Sequence, residues 1–208
     1  MPQTAMTPAG RAPGAADADA SPEATPETAP EPGFWVFAYG SLMWNPGFQC
    51  LEHHRAWLHG YARAFALSSI RYRGTPEAPG LVLGLDWRPG AVCAGVAFRV
   101  CRSEEAAVRD YLHHREMVTR SYIELVREVT LDDGRRVPAQ AYVLDRTHRQ
   151  YAGALSLERQ AEIIARAVGP AGPNDAYLHN TVDHLREIGI EDPELFALDA
   201  MVRARSTG

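Results

Sequence analysis

The chain contains no lysine: all 21 of its basic residues are arginine. That excludes any mechanism built on a Schiff-base lysine or a P-loop lysine. Only three cysteines occur, Cys50, Cys93 and Cys101, with no C-x-x-C pair among them. An odd, scattered set is neither a disulfide framework nor a thiolate zinc site, and it predicts a reducing compartment, the cytoplasm. No apolar run approaches the length a membrane-spanning helix needs, and the N-terminus lacks the basic-then-apolar pattern of a secretory signal. Basic runs are missing too. With a formal net charge of −5, the chain is not expected to bind nucleic acid or an anionic membrane. G-x-S-x-G, G-x-G-x-x-G and H-E-x-x-H are all absent, which leaves hydrolase-elbow, dinucleotide and zincin readings without support. The adjacent pairs His53-His54 and His113-His114 point in different directions on any regular element, so no metal site is expected.

What is present is a chain of 208 residues, 46% hydrophobic and 23% charged, enough for one domain with a sizeable core. Residues 1–32 are mostly Ala, Pro, Glu, Thr and Gly. Such a segment buries too little surface to offset its ordering entropy, so a disordered tail is expected there, ahead of a domain over 33–208. Phe34–Ala38 is a short apolar run suited to a buried strand. Tyr61, Arg63, Phe65 and Leu67 alternate as a strand does. Leu81–Trp87 and Ala91–Val100 flank Arg88-Pro89-Gly90, which predicts a hairpin. Tyr122–Leu131 and Val137–Leu144 flank Asp132-Asp133-Gly134, a second hairpin. Ser103 is the expected cap of a helix with Val108 and Leu112 on its buried stripe. Ser156 caps another, expected to run to Gly169. A third passes through Tyr177, Thr181 and Leu185 to Gly189, and Asp192-Pro193 opens the last. This order is α+β rather than a βαβ repeat.

Glu116 falls four residues after Leu112 and eight after Val108, on the buried stripe of its helix. A carboxylate there is costly unless paired or used. Burial and the negative end of the helix dipole both raise its pKa, which suits a general base. A salt bridge to Arg115, Arg120 or a distant arginine is the alternative. Tyr39-Gly40-Ser41-Leu42 follows a buried strand and is either an oxyanion cradle of backbone N–H groups or a plain turn. Arg71 and Arg73 beside a turn are either carboxylate binders or part of a solvated loop.

Four blocks in order add to this: Val36 to Pro46, with Tyr-Gly-Ser-Leu at its centre; Tyr72-Arg73-Gly74-Thr75-Pro76 followed by Pro79 to Leu85; Tyr111-Leu112-His113-His114-Arg115-Glu116-Met117; and Tyr151-Ala152-Gly153 with Gly169 to Asn174 and Tyr177-Leu178. Together they resemble the ChaC-type γ-glutamylcyclotransferases over about Trp35 to Arg203. The resemblance implies a γ-glutamylcyclotransferase-like fold, a small mixed barrel-like sheet flanked by helices. It implies cyclisation of the γ-glutamyl group of glutathione to 5-oxoproline with release of Cys-Gly. Glu116 would be the catalytic acid–base. Val36, Phe37, Ala38, Tyr39, Gly40, Ser41 and Leu42 would bind substrate, joined by Arg71 on the ground of its residue type and location, with no cofactor, in a monomer or weak homodimer. Another γ-glutamyl amine or dipeptide as substrate, or a regulatory binding role linked to cation transport without turnover, are the alternatives.

Overall fold

The computed structural model describes residues Gly33–Ser206; the expected tail over 1–32 lies outside them. Five strands close into a barrel in the order β1-β3-β2-β4-β5: β1 Phe34–Ala38, β2 Glu52–Ser69, β3 Gly80–Val100, β4 Tyr122–Leu131 and β5 Arg136–Leu144. All neighbouring strands run antiparallel except β1 and β5, which pair in parallel through Trp35↔Ala139 and Val36↔Gln140. Helix α1 (Glu105–Glu116) lies between β3 and β4. Helices α2 (Leu157–Ile164), α3 (Asn174–Glu187) and α4 (Pro193–Ser206) follow the barrel. A two-stranded ribbon of β6 (Val168–Gly169) and β7 (Gly172–Pro173) separates α2 from α3. The α+β barrel expected from the resemblance is the fold observed.

The two larger of three buried clusters follow from strand alternation. Trp35 and Phe37 of β1 point into the barrel, where they meet Ala56, Leu58, Leu85, Ala97, Leu131, Ala141 and Val143 from the other four strands. Phe34, Val36 and Ala38 face the other way and pack with Phe65, Leu83, Leu112, Ile164, Leu178, Leu185 and Leu198. Because β1 is buried on both faces, its sequence is a continuous apolar run rather than an alternating one.

The expected hairpin at Arg88-Pro89-Gly90 is not formed. Leu81–Trp87 and Ala91–Val100 belong to one long β3, and both halves pair with β2, from Ser68↔Leu81 to Tyr61↔Trp87 and from His59↔Val92 to Glu52↔Arg99. Gly60 (φ +82) and Gly90 (φ +80) absorb the interruption as a bulge. The charged segment Glu52–His59 supplies the partner strand, and it carries Ala56 and Leu58 into the barrel interior. Pairing β3 with itself would leave both uncovered. The second hairpin, β4–β5, forms as expected around Gly134 (φ +87).

Two helix ends also differ. Ser103 does not cap α1; it lies in a 3-10 turn, Arg102–Glu104, and its hydroxyl donates to Cys101 Sγ at 3.1 Å. Helix α2 stops at Ile164 instead of reaching Gly169, because Val168 pairs with Pro173 in the ribbon. Ser156 does cap α2, accepting from Arg159 N at 3.3 Å. Asp192 caps the start of α4, accepting from Leu195 N at 3.1 Å.

Candidate active site

Glu116 is the last residue of α1, and its side chain is 19% exposed. Val108 and Leu112 anchor the same face in the core, so the helix delivers the carboxylate to the core's edge rather than to open solvent. Burial raises its pKa above the usual carboxylate range, and the neighbouring Arg115 charge opposes that rise. Arg115 Nε lies 3.3 Å from Glu116 Oε1. The same guanidinium donates to the Asn45 carbonyl at 2.8 Å, to Tyr111 Oη at 2.8 Å and to Ser41 Oγ at 3.1 Å. One arginine therefore fastens the end of α1 to the turn that follows β1. The salt bridge and the raised carboxylate, alternatives from spacing alone, occur together.

Glu116 lines two adjoining cavities. The larger, about 440 Å³, is open to the surface and bordered by Ser41, Arg71, Tyr72, Arg115 and Thr119. The smaller, about 70 Å³, is bordered by Phe37, Tyr39, Gly40, Leu42 and Tyr142. Ser41, Leu83, Glu116, Tyr122 and Tyr177 line both. Ser41–Met43 is one turn of 3-10 helix entered through Gly40. The first N–H groups of a helical turn have no acceptor within the turn, which leaves them able to serve a ligand oxygen.

Four tyrosines surround the carboxylate. Burial is the main cause raising the pKa of Tyr39, Tyr122, Tyr142 and Tyr177, the last to about 12, and the Glu116 charge adds to each. All four stay neutral at ordinary pH. Tyr122 donates to the Leu83 carbonyl at 2.9 Å, and Tyr142 accepts from Gln140 Nε2 at 2.7 Å.

Of the residues expected to bind substrate, Phe37, Tyr39, Gly40, Ser41 and Leu42 border the inner cavity, and Arg71 stands on the rim of the outer one. Val36 and Ala38 line neither; both are fully buried in the packing against the helices. Arg73 also borders the outer cavity, held there by donating to the Pro173 carbonyl at 3.1 Å with its guanidinium over the Tyr177 ring. Tyr142 borders the site without any mark in the sequence, since it sits in an ordinary strand, whereas Leu83 belongs to the Pro79 to Leu85 block.

Fold and site together define a small-molecule pocket in which a single carboxylate of raised pKa faces a backbone turn. A sequence model of the ChaC-like protein family matches residues 34–205, and the chain belongs to that family. It is 37% identical to the glutathione-specific γ-glutamylcyclotransferase of Escherichia coli K12, over 77% of this chain and 69% of that one. It is 34% identical to γ-glutamylcyclotransferase 2-3 of Arabidopsis thaliana, over 81% and 88% of the two chains. A crystal structure of the yeast γ-glutamyl cyclotransferase specific to glutathione superposes with a TM-score of 0.74 at 25% identity. That match covers 84% of this chain and all of the yeast one.

Proposed function

We propose that the protein degrades glutathione as a γ-glutamylcyclotransferase, with Glu116 as its proton shuttle. The observation that carries this reading is the position of the Glu116 carboxylate, at the junction of two cavities beside the Ser41 turn, in a chain of this family. The γ-glutamyl group occupies the inner cavity, and the cysteinyl-glycine portion extends into the outer one. Glu116 takes a proton from the substrate α-ammonium. The freed amine attacks the γ-carbonyl carbon and closes a five-membered ring. The oxygen of that carbonyl gains charge and is held by N–H groups of the Gly40–Leu42 turn. Glu116 then returns its proton to the amide nitrogen, the C–N bond breaks, the ring nitrogen gives up its second proton to the departing amine, and 5-oxoproline and Cys-Gly (as its ammonium) result. Arg71 at the rim pairs with a substrate carboxylate.

In the same reading the catalytic domain is 33–208, the protein is a monomer or a weak homodimer, and it works in the cytoplasm. The odd cysteine count and net charge of −5 support a reducing compartment and a small-molecule rather than nucleic-acid partner. Incubation with glutathione and chromatography of the products tests the reading. Release of 5-oxoproline and Cys-Gly by the wild type, and its loss in Glu116→Gln, is expected. Full turnover in the variant would falsify the role of Glu116. Turnover of other γ-glutamyl compounds but not glutathione would move the substrate.

A further inference from the structure

Arg63 is buried, its side chain only 1% exposed, and it makes three bonds that join otherwise separate elements. Its Nε donates to the Tyr39 carbonyl at 2.6 Å, one terminal nitrogen to the Ala94 carbonyl of β3 at 2.6 Å, and the other to Asp192 Oδ2 at 2.7 Å. Asp192 uses its remaining oxygen to cap α4. A full guanidinium fork is thus spent on one backbone turn, one strand and one helix start.

The bond to Tyr39 is the informative one. The Tyr39–Gly40 peptide is trans, as are the peptide bonds among the described residues, so its N–H points opposite to its C=O. Arg63 holds the carbonyl from behind and does not line the inner cavity; Gly40 does. The N–H of Gly40 is therefore turned toward the side where the reacting carbonyl oxygen is expected. A positive charge on the carbonyl also polarises the peptide, which strengthens its N–H as a donor.

We infer that Arg63 is a positioning residue for the oxyanion cradle: it fixes the Tyr39–Gly40 peptide so that the Gly40 N–H is presented to the oxygen that gains charge during cyclisation. The inference rests on the cyclotransferase reading. It assigns a role to a residue with no side-chain route to the substrate. The Asp192 carboxylate neutralises the buried cation and aims its fork, so the start of α4 is coupled to the catalytic turn.

The test compares Arg63→Lys, which keeps the charge but loses the fork, and Arg63→Met, which keeps bulk and loses all donors. Kinetics are taken well below each variant's melting temperature, with the Gly40 amide followed by NMR in ¹⁵N-glycine-labelled protein. Both variants are expected to lose about 10- to 100-fold in kcat, as for a displaced or missing oxyanion donor, with KM little changed and the Gly40 amide resonance moved. Arg88→Gln is the control. It breaks the exposed pair with Glu194 on α4 (2.6 Å) and is expected to keep wild-type kcat. A folded Arg63→Lys with wild-type kcat, an unmoved Gly40 amide, or an equal loss in Arg88→Gln overturns the proposal. If Arg63→Met does not fold, Arg63→Lys decides. If wild-type protein releases no 5-oxoproline, the functional reading fails, and the Gly40 amide alone decides whether Arg63 orients the turn.

Discussion

A carboxylate that takes up and returns a proton needs surroundings that neither hold its charge permanently nor abolish it. Glu116 has both tendencies beside it: burial raises its pKa and Arg115 lowers it. Glu116→Gln is expected to lower kcat by at least about 100-fold. Because the working form is the carboxylate, kcat/KM in the wild type falls as pH drops through the raised pKa of Glu116; a pH–rate profile checks the direction. Stability moves the other way. A carboxylate whose folded pKa lies above its unfolded value destabilises the fold when ionised, so the variant's thermal midpoint at neutral pH should match or exceed wild type. Tyr122→Phe separates scaffold from chemistry. It removes the donor to the buried Leu83 carbonyl and is expected to cost about 1–2 kcal/mol of unfolding free energy, with a smaller loss of kcat than Glu116→Gln. Glu116 was legible in the sequence because helical spacing alone puts it on the buried stripe. The tyrosine ring was not. Tyr39, Tyr122, Tyr142 and Tyr177 come from four separate parts of the chain, and only barrel closure and the packing of α3 bring them together. Arg63 was legible merely as one position of an alternating strand, because its partners Tyr39, Ala94 and Asp192 lie 24, 31 and 129 residues away.

At the scale of elements, local signals succeeded where turn chemistry and pairing agreed, as in β4–β5. They failed at β2–β3, where an 18-residue strand and a 21-residue strand run side by side through a bulge. Arg-Pro-Gly is correct turn chemistry, and Gly90 does adopt a left-handed φ of +80. What it cannot reveal is that a charged segment, Glu52–His59, stands ready as partner for the second half of β3. Gly90 offers a clean measure of this. A Cβ there would meet nothing within 4 Å, so Gly90→Ala probes conformation without a clash. The substitution is expected to cost about 1–2 kcal/mol, the penalty of a left-handed conformation for an L side chain, as read by denaturant unfolding. The same logic explains why α2 ends early: a two-residue ribbon that satisfies Val168 and Gly169 is invisible to helical periodicity.

For the whole molecule, closure rests on two equally short seams, β1 with β5 at Trp35↔Ala139 and Val36↔Gln140, and β2 with β4 at Ala56↔Leu131 and Trp57↔Thr130. Next to the β2–β4 seam a charge network does what the short ladder does not. Glu52 of β2 accepts from Arg99 of β3 at 3.0 Å and from Arg135, in the β4–β5 turn, at 2.9 Å. His54 joins it, bonded to Glu52 at 3.0 Å and to Asp132 at 2.8 Å. The bond from Arg135 is the first cause holding the Glu52 carboxyl down to about 2. Its folded pKa thus lies below the unfolded one, so the stability it contributes is fully present above the unfolded carboxylate range. That contribution is lost as pH falls from that range through about 2. Glu52→Gln is therefore expected to destabilise by about 1 kcal/mol at neutral pH, the upper range for a solvent-screened pair made worthwhile by its network. The difference from wild type should shrink in strong salt and vanish at the acid end of a pH series of unfolding curves. A difference that persists in acid would mean that the network closes the barrel through shape and hydrogen bonding rather than through charge.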